Sequence, residues 1–413
     1  MKNVPKLRFN GFSDEWEERS LGELFDFKNG LNKEKEFFGK GTPIVNYVDV
    51  YRKNELTSDN ILGLVEVTEK EKENYSVKKG DVFFTRTSET IDEIGYTAVV
   101  TEEVENTVFS GFVLRARPKT DNLSDIFCKY CFSTESARKE IVTKSSYTTR
   151  ALTSGTLLSG MNVFLPKNII EQEKIANFLT KVDKLIEKQD EKVSNLEQYK
   201  KGMMQKIFSQ EIRFKKADGG EYPEWKKKHL GDIVERVVRK NKGNITKRPL
   251  TISAQYGLVD QEEFFNKVVA SSNLEGYYLL NKGEFAYNKS YSNGYPFGAI
   301  KRLDRYENGA VSTLYICFIP KEHINSDYLV QYFESGMWHK EVSMVAVEGA
   351  RNHGLLNISV SDFFETIHKV PCLDEQIKIA KFLSKIDSIV KKEKEKLEEL
   401  RVWKKGLLQG MFI

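Results

Sequence analysis

Two sets of polar loop residues, one in each half of the chain, are the places where side-chain types and spacing could do chemistry. In the first half, Thr85-Arg86-Thr87-Ser88-Glu89-Thr90 follows an apolar strand signal, and Lys144-Ser145-Ser146-Tyr147-Thr148-Thr149-Arg150 precedes another; Asn46-Tyr47 lies earlier. The second half carries Asn288-Lys289-Ser290-Tyr291-Ser292-Asn293, then Gly349-Ala350-Arg351-Asn352-His353, with Ser253-Ala254-Gln255-Tyr256 before them. Guanidinium, ammonium, amide and hydroxyl groups are the ones that grip phosphate oxygens and hydrogen-bond base edges. A polar loop by itself is ordinarily just solvated. These loops, however, interrupt matching strands at equivalent points of two halves, and they differ from each other. The reading is two recognition surfaces of different specificity. The candidate residues are Asn46, Tyr47, Arg86, Thr87, Ser88, Ser146, Tyr147 and Arg150 in the first, and Ser253, Gln255, Tyr256, Asn288, Lys289, Tyr291, Arg351, Asn352 and His353 in the second.

Covalent chemistry has no such support. There is no GxxxxGK[ST] phosphate loop, and Gly39-Lys40-Gly41 lacks the third glycine of a dinucleotide fingerprint. Tyr295-Pro296-Phe297 is only a fragment of an amino-methyltransferase tetrapeptide, and no PD…(D/E)xK nuclease core occurs. The five histidines show no metal-ligand spacing. Cys128 and Cys131 form a lone CxxC in an apparently helical stretch, which reads as two buried thiols on one helix face. No catalytic or metal-binding residues are expected.

The elements that must position the loops come from a duplication. Glu171–Phe208 returns 204 residues later, without a gap, as Glu375–Phe412, with nearly half the positions identical. Both copies carry an apolar residue at alternating steps of four and three, the stripe of a coiled coil. The seam runs through Val182, Ile186, Gln189, Val193, Leu196 and Lys200 in one copy, and through Ile386, Val390, Glu393, Leu397, Leu400 and Lys404 in the other. Its polar positions predict an antiparallel pair in which Lys200 faces Glu393 and Gln189 faces Lys404. Gly202 and Gly406, costly inside a helix, are expected to allow close helix approach.

Shorter matches extend the repeat to the regions before each helix. Leu7-Arg8-Phe9, Trp16 and Leu21-Gly22-Glu23-Leu24 correspond to Ile212-Arg213-Phe214, Trp225 and Leu230-Gly231-Asp232-Ile233. Lys79-Gly80-Asp81 and Lys282-Gly283-Glu284 each predict a turn leading into a strand. A proline-closed strand and an amphipathic helix, near 122–142 and 325–345, follow in each half. The expected organisation is a mixed α/β domain over 1–168, a helix over 169–210, a second such domain over 211–373 and a helix over 374–413. A 38-residue helix would be roughly 57 Å long. Two equivalent domains on such a rod, related by a pseudo-twofold axis, suit a ligand with two separated half-sites, as dimeric readers of duplex DNA do. From the repeat alone, a half-chain ending after Phe208 is expected to pair with a copy of itself.

At 413 residues, several domains are expected. The 64 basic and 60 acidic residues leave a net charge of +4, so any nucleic-acid affinity has to come from local patches. No apolar run is long enough to span a membrane, and four cysteines suit a reducing compartment; a cytoplasmic location is expected.

The chain resembles the specificity subunits of type I restriction–modification enzymes. The resemblance covers essentially the whole chain. It rests on PKLRFNGFSDEW…LGEL, KKGDVFFTRTS and the twice-occurring P…EQxxIAxFLxKxD…KKGxxQxxF. It implies two target recognition domains separated by helices that pair as an antiparallel coiled coil. It also implies a non-catalytic subunit that binds double-stranded DNA and two methyltransferase subunits, and is joined by restriction/translocase subunits. S-adenosylmethionine, ATP and Mg²⁺ are expected on those partners and none on this chain. Two other classes compete: a coiled-coil adaptor spacing two protein-binding domains, and an enzyme whose site carries no motif.

Overall fold

A computed structural model describes residues 3–253, 256–266, 273–290, 295–346, 356 and 358–413. The chain divides into two compact units, Met1–Asp190 with Glu395–Ile413, and Glu191–Lys394. This division cuts across the expected domain boundaries, because both long helices, Ile169–Phe208 and Leu373–Met411, are shared between the units.

The reason lies in the cores. In the first unit Ile175, Leu179 and Val182 of one helix, and Leu407, Met411 and Phe412 at the end of the other, pack with Trp16, Phe84 and Phe127. The second unit repeats this with Ile379, Leu383 and Ile386, with Met204, Ile207 and Phe208, and with Trp225, Phe285 and Tyr328. Burying large apolar side chains contributes about 1.5–3 kcal/mol each, so the helix ends belong thermodynamically to the domains. The phenylalanine closing each KKGxxQxxF motif is the plug: Phe412 meets Trp16 edge-on at 6.1 Å, and Phe208 meets Trp225 at 6.5 Å.

Each unit is built on an antiparallel sheet. The first has strand order Phe25–Asn29, Val113–Pro118, Val82–Thr85, Thr97–Val100, with Glu55–Leu56 added in parallel at the edge. The second has the same order in Val234–Arg236, Ile316–Pro320, Phe285–Asn288 and Ala299–Arg302. Both Lys-Gly turns form as read, with Gly80 and Gly283 at φ +86° and +88°, a region only glycine enters cheaply. The acid that follows clamps the turn: Asp81 accepts from the Lys78 N–H at 2.8 Å and Glu284 from the Asn281 N–H at 2.7 Å. Each carboxylate also takes an arginine, Arg117 in the first unit and Arg239 in the second. The expected single helices are each two, Asp125–Cys131 with Glu135–Lys144 and Ser326–Glu334 with His339–Val345. Thr134 caps the second of these four by accepting from the Ala137 N–H, and left-handed Gly336 (φ +71°) separates the last two. Cys128 and Cys131 are buried thiols on their helix, as read.

The Glu-Gln pair that starts each repeat is an anchor. Arg8 donates to the Glu171 carboxylate from Nε and Nη2 at 2.7 and 2.9 Å, and Trp16 Nε1 donates at 3.4 Å. Arg213 does the same to Glu375 at 3.3 and 3.0 Å, with Trp225 Nε1 at 3.1 Å. Gln172 then accepts from the Ser124 N–H and donates to the Pro166 carbonyl; Gln376 accepts from the Asn325 N–H and donates to the Pro371 carbonyl.

The helices pair antiparallel, but in another register than expected. In the first unit Lys404 pairs with Asp183 at 2.5 Å and Arg401 with Asp190 at 2.9 Å. In the second, Lys200 pairs with Asp387 at 2.5 Å, Lys192 with Glu393 at 2.7 Å and Lys394 with Glu197 at 2.5 Å. Lys200 thus finds Asp387 and not Glu393, and Lys404 finds Asp183 and not Gln189. A long lysine reaches along the flank to a short carboxylate, while the apolar stripe tolerates several slips equally; the domain cores fix which one forms. The seam itself lies inward: Val182, Gln189, Val193, Ile386 and Leu397 are buried, and Ile186, Leu196, Lys200, Val390, Glu393, Leu400 and Lys404 half-buried. Gly202 and Gly406 do not serve close approach, because a Cβ added at either would meet nothing within 4 Å.

Candidate nucleic-acid interface

In the first unit a small three-stranded sheet gathers the two loop segments. Ser146–Tyr147 pairs with Ala151–Leu152, which pairs in turn with Thr87–Ser88. Arg86, Thr87, Tyr147 and Arg150, far apart in sequence, are therefore gathered around one small sheet. Arg150 forms an exposed ion pair with Glu89 at 3.1 Å, and the Arg86 guanidinium makes a long contact, 3.4 Å, to the Gly111 carbonyl. Tyr147 is 55% exposed. Ser88 is buried, and its hydroxyl accepts from the Thr90 N–H, so it shapes the loop. Ser146 donates to the Leu152 carbonyl across the sheet.

Asn46 and Tyr47 lie elsewhere in that unit. The Asn46 amide donates to the Ile44 carbonyl at 3.2 Å, while Tyr47 stacks on Tyr51 at 5.3 Å, which meets Tyr96 edge-on. Burial raises the Tyr47 phenol above its ordinary pKa. Beside this stack a groove of about 700 Å³ is lined by Arg52, Arg138, Arg401 and Lys404 among others. Four of the five cations lining it are committed: Arg52 to Glu93, Arg138 to three backbone carbonyls, Arg401 to Asp190 and Lys404 to Asp183. The groove is internal mortar more than a phosphate cradle.

In the second unit the corresponding junction is made by Lys289. Its Nζ donates to the Ile358 carbonyl at 3.2 Å, and its own carbonyl accepts from the Leu356 N–H at 3.0 Å. Asn288 accepts from the Ser290 N–H and holds the turn. Ser253 is buried and accepts from the Tyr256 N–H, whereas Tyr256 is 56% exposed and meets Phe264 edge-on. Gln255, Tyr291, Arg351, Asn352 and His353 lie outside the described residues.

Comparison with known proteins fits this duplicated arrangement. A family model described as the type I restriction modification DNA specificity domain matches twice, at residues 13–198 and 222–401. The chain belongs to the type I restriction–modification DNA specificity family. A protein named as the MjaX type I restriction enzyme specificity subunit of Methanocaldococcus jannaschii is 26% identical over 242 residues, which cover 56% of this chain and 55% of that relative. The chain thus matches about half the length of that relative. Among solved structures, the S subunit of a type I restriction-modification system from M. genitalium aligns with TM-score 0.55 at 17% identity, covering 99% of both chains. A second, from work on complex assembly and conformational transition of the type I R-M system, aligns with TM-score 0.52 at 14% identity, covering 95% of this chain and 96% of that one. These likenesses establish the fold: duplicated mixed α/β domains joined by long helices. No helix among the described residues is long and apolar enough to cross a membrane.

Sequence reading missed several exposed groups beside these loops. Phe112, 65% exposed, accepts through its carbonyl from the Arg86 N–H and so sits against the Arg86 edge. Phe264 and Arg305 flank Tyr256, with the Arg305 guanidinium 6.0 Å from its ring, and Phe265 meets Phe264 edge-on. An exposed Phe-Phe pair beside a hairpin was the available signal.

Proposed function

We propose that this chain is the DNA-reading subunit of a type I restriction–modification complex, in which each domain reads one part of a bipartite, asymmetric target. The observation that carries this reading is the contrast inside one duplicated frame: equivalent anchors and sheets, but unlike loop edges. The small sheet carrying Arg86, Thr87, Tyr147 and Arg150 serves one half-target, and the loops around Tyr256, Asn288 and Lys289 serve the other. The paired helices act as the spacer and dock two methyltransferase subunits; restriction/translocase subunits complete the nuclease. The chain itself performs no chemistry, and S-adenosylmethionine, ATP and Mg²⁺ are held by the partners.

Co-expression with a methyltransferase subunit and genome-wide mapping of methylated adenines tests this. The expected result is a split asymmetric motif. Arg86→Ala should relax or weaken one half of it by about 1–3 kcal/mol and leave the other half readable. Equal loss at both halves, or methyl transfer by the purified chain alone, would overturn the reading.

A further inference from the structure

Four ion pairs between the paired helices fall into two kinds. One kind has the same polarity in both repeats. Asp183 pairs with Lys404 and Asp387 with Lys200, each at 2.5 Å, with aspartate and lysine at repeat-equivalent positions. The other kind is reversed. Asp190 is matched 204 residues on by Lys394, and Glu197 by Arg401. These four residues make Asp190–Arg401 at 2.9 Å and Glu197–Lys394 at 2.5 Å, both on the exposed flank of the seam.

We propose that these four residues are a pairing code, by which the first long helix selects the second and rejects another copy of itself. In the same register, two copies of the first helix would set Asp190 against Glu197 twice, four carboxylates with no cation between them. Two copies of the second would set Lys394 against Arg401 twice. Neither the apolar seam nor the Asp183/Lys200 positions distinguishes these cases, since both are alike in the two repeats. Lys192 adds to the bias: its partner Glu393 has Gln189 as its repeat equivalent, so self-pairing of the first helix replaces an ion pair by a neutral contact.

Flanking charges choose partners in coiled coils in this way, and like-charge juxtaposition supplies the rejection. Each exposed pair is worth little alone; the choice depends on the swing from two attractions to two repulsions. The repeat by itself predicted that a half-chain ending after Phe208 would pair with its own copy, and these charges oppose that. The consequence rests on the proposed function: unlike readers stay in one molecule, which keeps the target asymmetric.

The test needs only the full-length chain, without DNA or methyltransferase, so its outcome is separate from that of the target-mapping experiment. K394D/R401E places the first helix's charges on the second and recreates the self-paired arrangement inside one molecule. D190K/E197R/K394D/R401E restores both attractions with polarity exchanged. At low ionic strength the two-residue variant should lose on the order of tenfold in its folding equilibrium, read as a lowered thermal midpoint. Salt near 1 M should erase most of that loss, and the four-residue variant should recover the wild-type midpoint. A two-residue variant as stable as wild type at low salt, or a four-residue variant that fails to recover, would overturn the code.

Discussion

The two units use the same anchors and different edges. Glu171 and Glu375 are both buried, each held by an arginine and a tryptophan delivered from just after the preceding segment's start. Asp81 and Glu284 do the same work at their turns, although Arg117 and Arg239 come from different strands or loops. At the loop edges the frame is shared and the side chains differ: the Arg86 carbonyl accepts from the Thr153 N–H and the Lys289 carbonyl from the Leu356 N–H, both at 3.0 Å, while the Lys289 ammonium reaches the Ile358 carbonyl and the Arg86 guanidinium the Gly111 carbonyl. A buried carboxylate is tolerated only with its full set of partners, so the anchor geometry has little freedom. An exposed loop edge pays no such penalty and can diverge on an unchanged frame. One interior position also differs. Where the first unit has Val163 in its closing strand, the second has His368, buried between the Tyr332 and Thr366 hydroxyls at 2.8 Å each.

The largest effects should come from the anchors. Glu171→Ala and Glu375→Ala each strand a half-buried arginine and should each cost about 3–5 kcal/mol in denaturant unfolding. Similar losses would sustain the equivalence of the units, and a loss below about 1 kcal/mol at either would break it. Next comes His368, where the units should part. Burial depresses its imidazole to about 4, against an unfolded value of about 6.5. On acidification the unfolded chain takes up this proton first. The stability is therefore present above about pH 6.5 and is lost progressively down to about pH 4, on the order of 3 kcal/mol in all. Amide exchange at pH 7 and 4.5 should show the second unit losing protection first, and simultaneous loss in both would count against the assignment. The smallest effects should be Gly202→Ala and Gly406→Ala, each stabilising by about 1 kcal/mol because the added methyl meets open space. A lowered melting temperature at either would mean that the glycine serves a contact within the chain.

Much of this was legible in particular residues. The two long helices, the Lys-Gly turns and the apolar strand runs follow from periodicity and glycine stereochemistry, which act locally. The role of the Glu-Gln pair was not legible, because Arg8 and Glu171 lie 163 residues apart and no local rule joins them. The same holds for the candidate site. Arg86 and Arg150 could be nominated from residue type, yet their meeting at one small sheet depends on the pairing of Ala151 with Ser88. Asn46 was nominated on the same grounds, and its amide turns inward to Ile44.

By itself the sequence determined that there are two repeats, that each ends in a long helix with an apolar seam, and that the halves differ where polar loops interrupt matched strands. Those are properties of spacing and composition, which a one-dimensional pattern carries in full. Tertiary structure decided the register that joins Lys200 to Asp387 and the assignment of each helix end to a domain core. A heptad stripe slides between registers at little cost, whereas Phe412 against Trp16 and Phe208 against Trp225 fit in one place only.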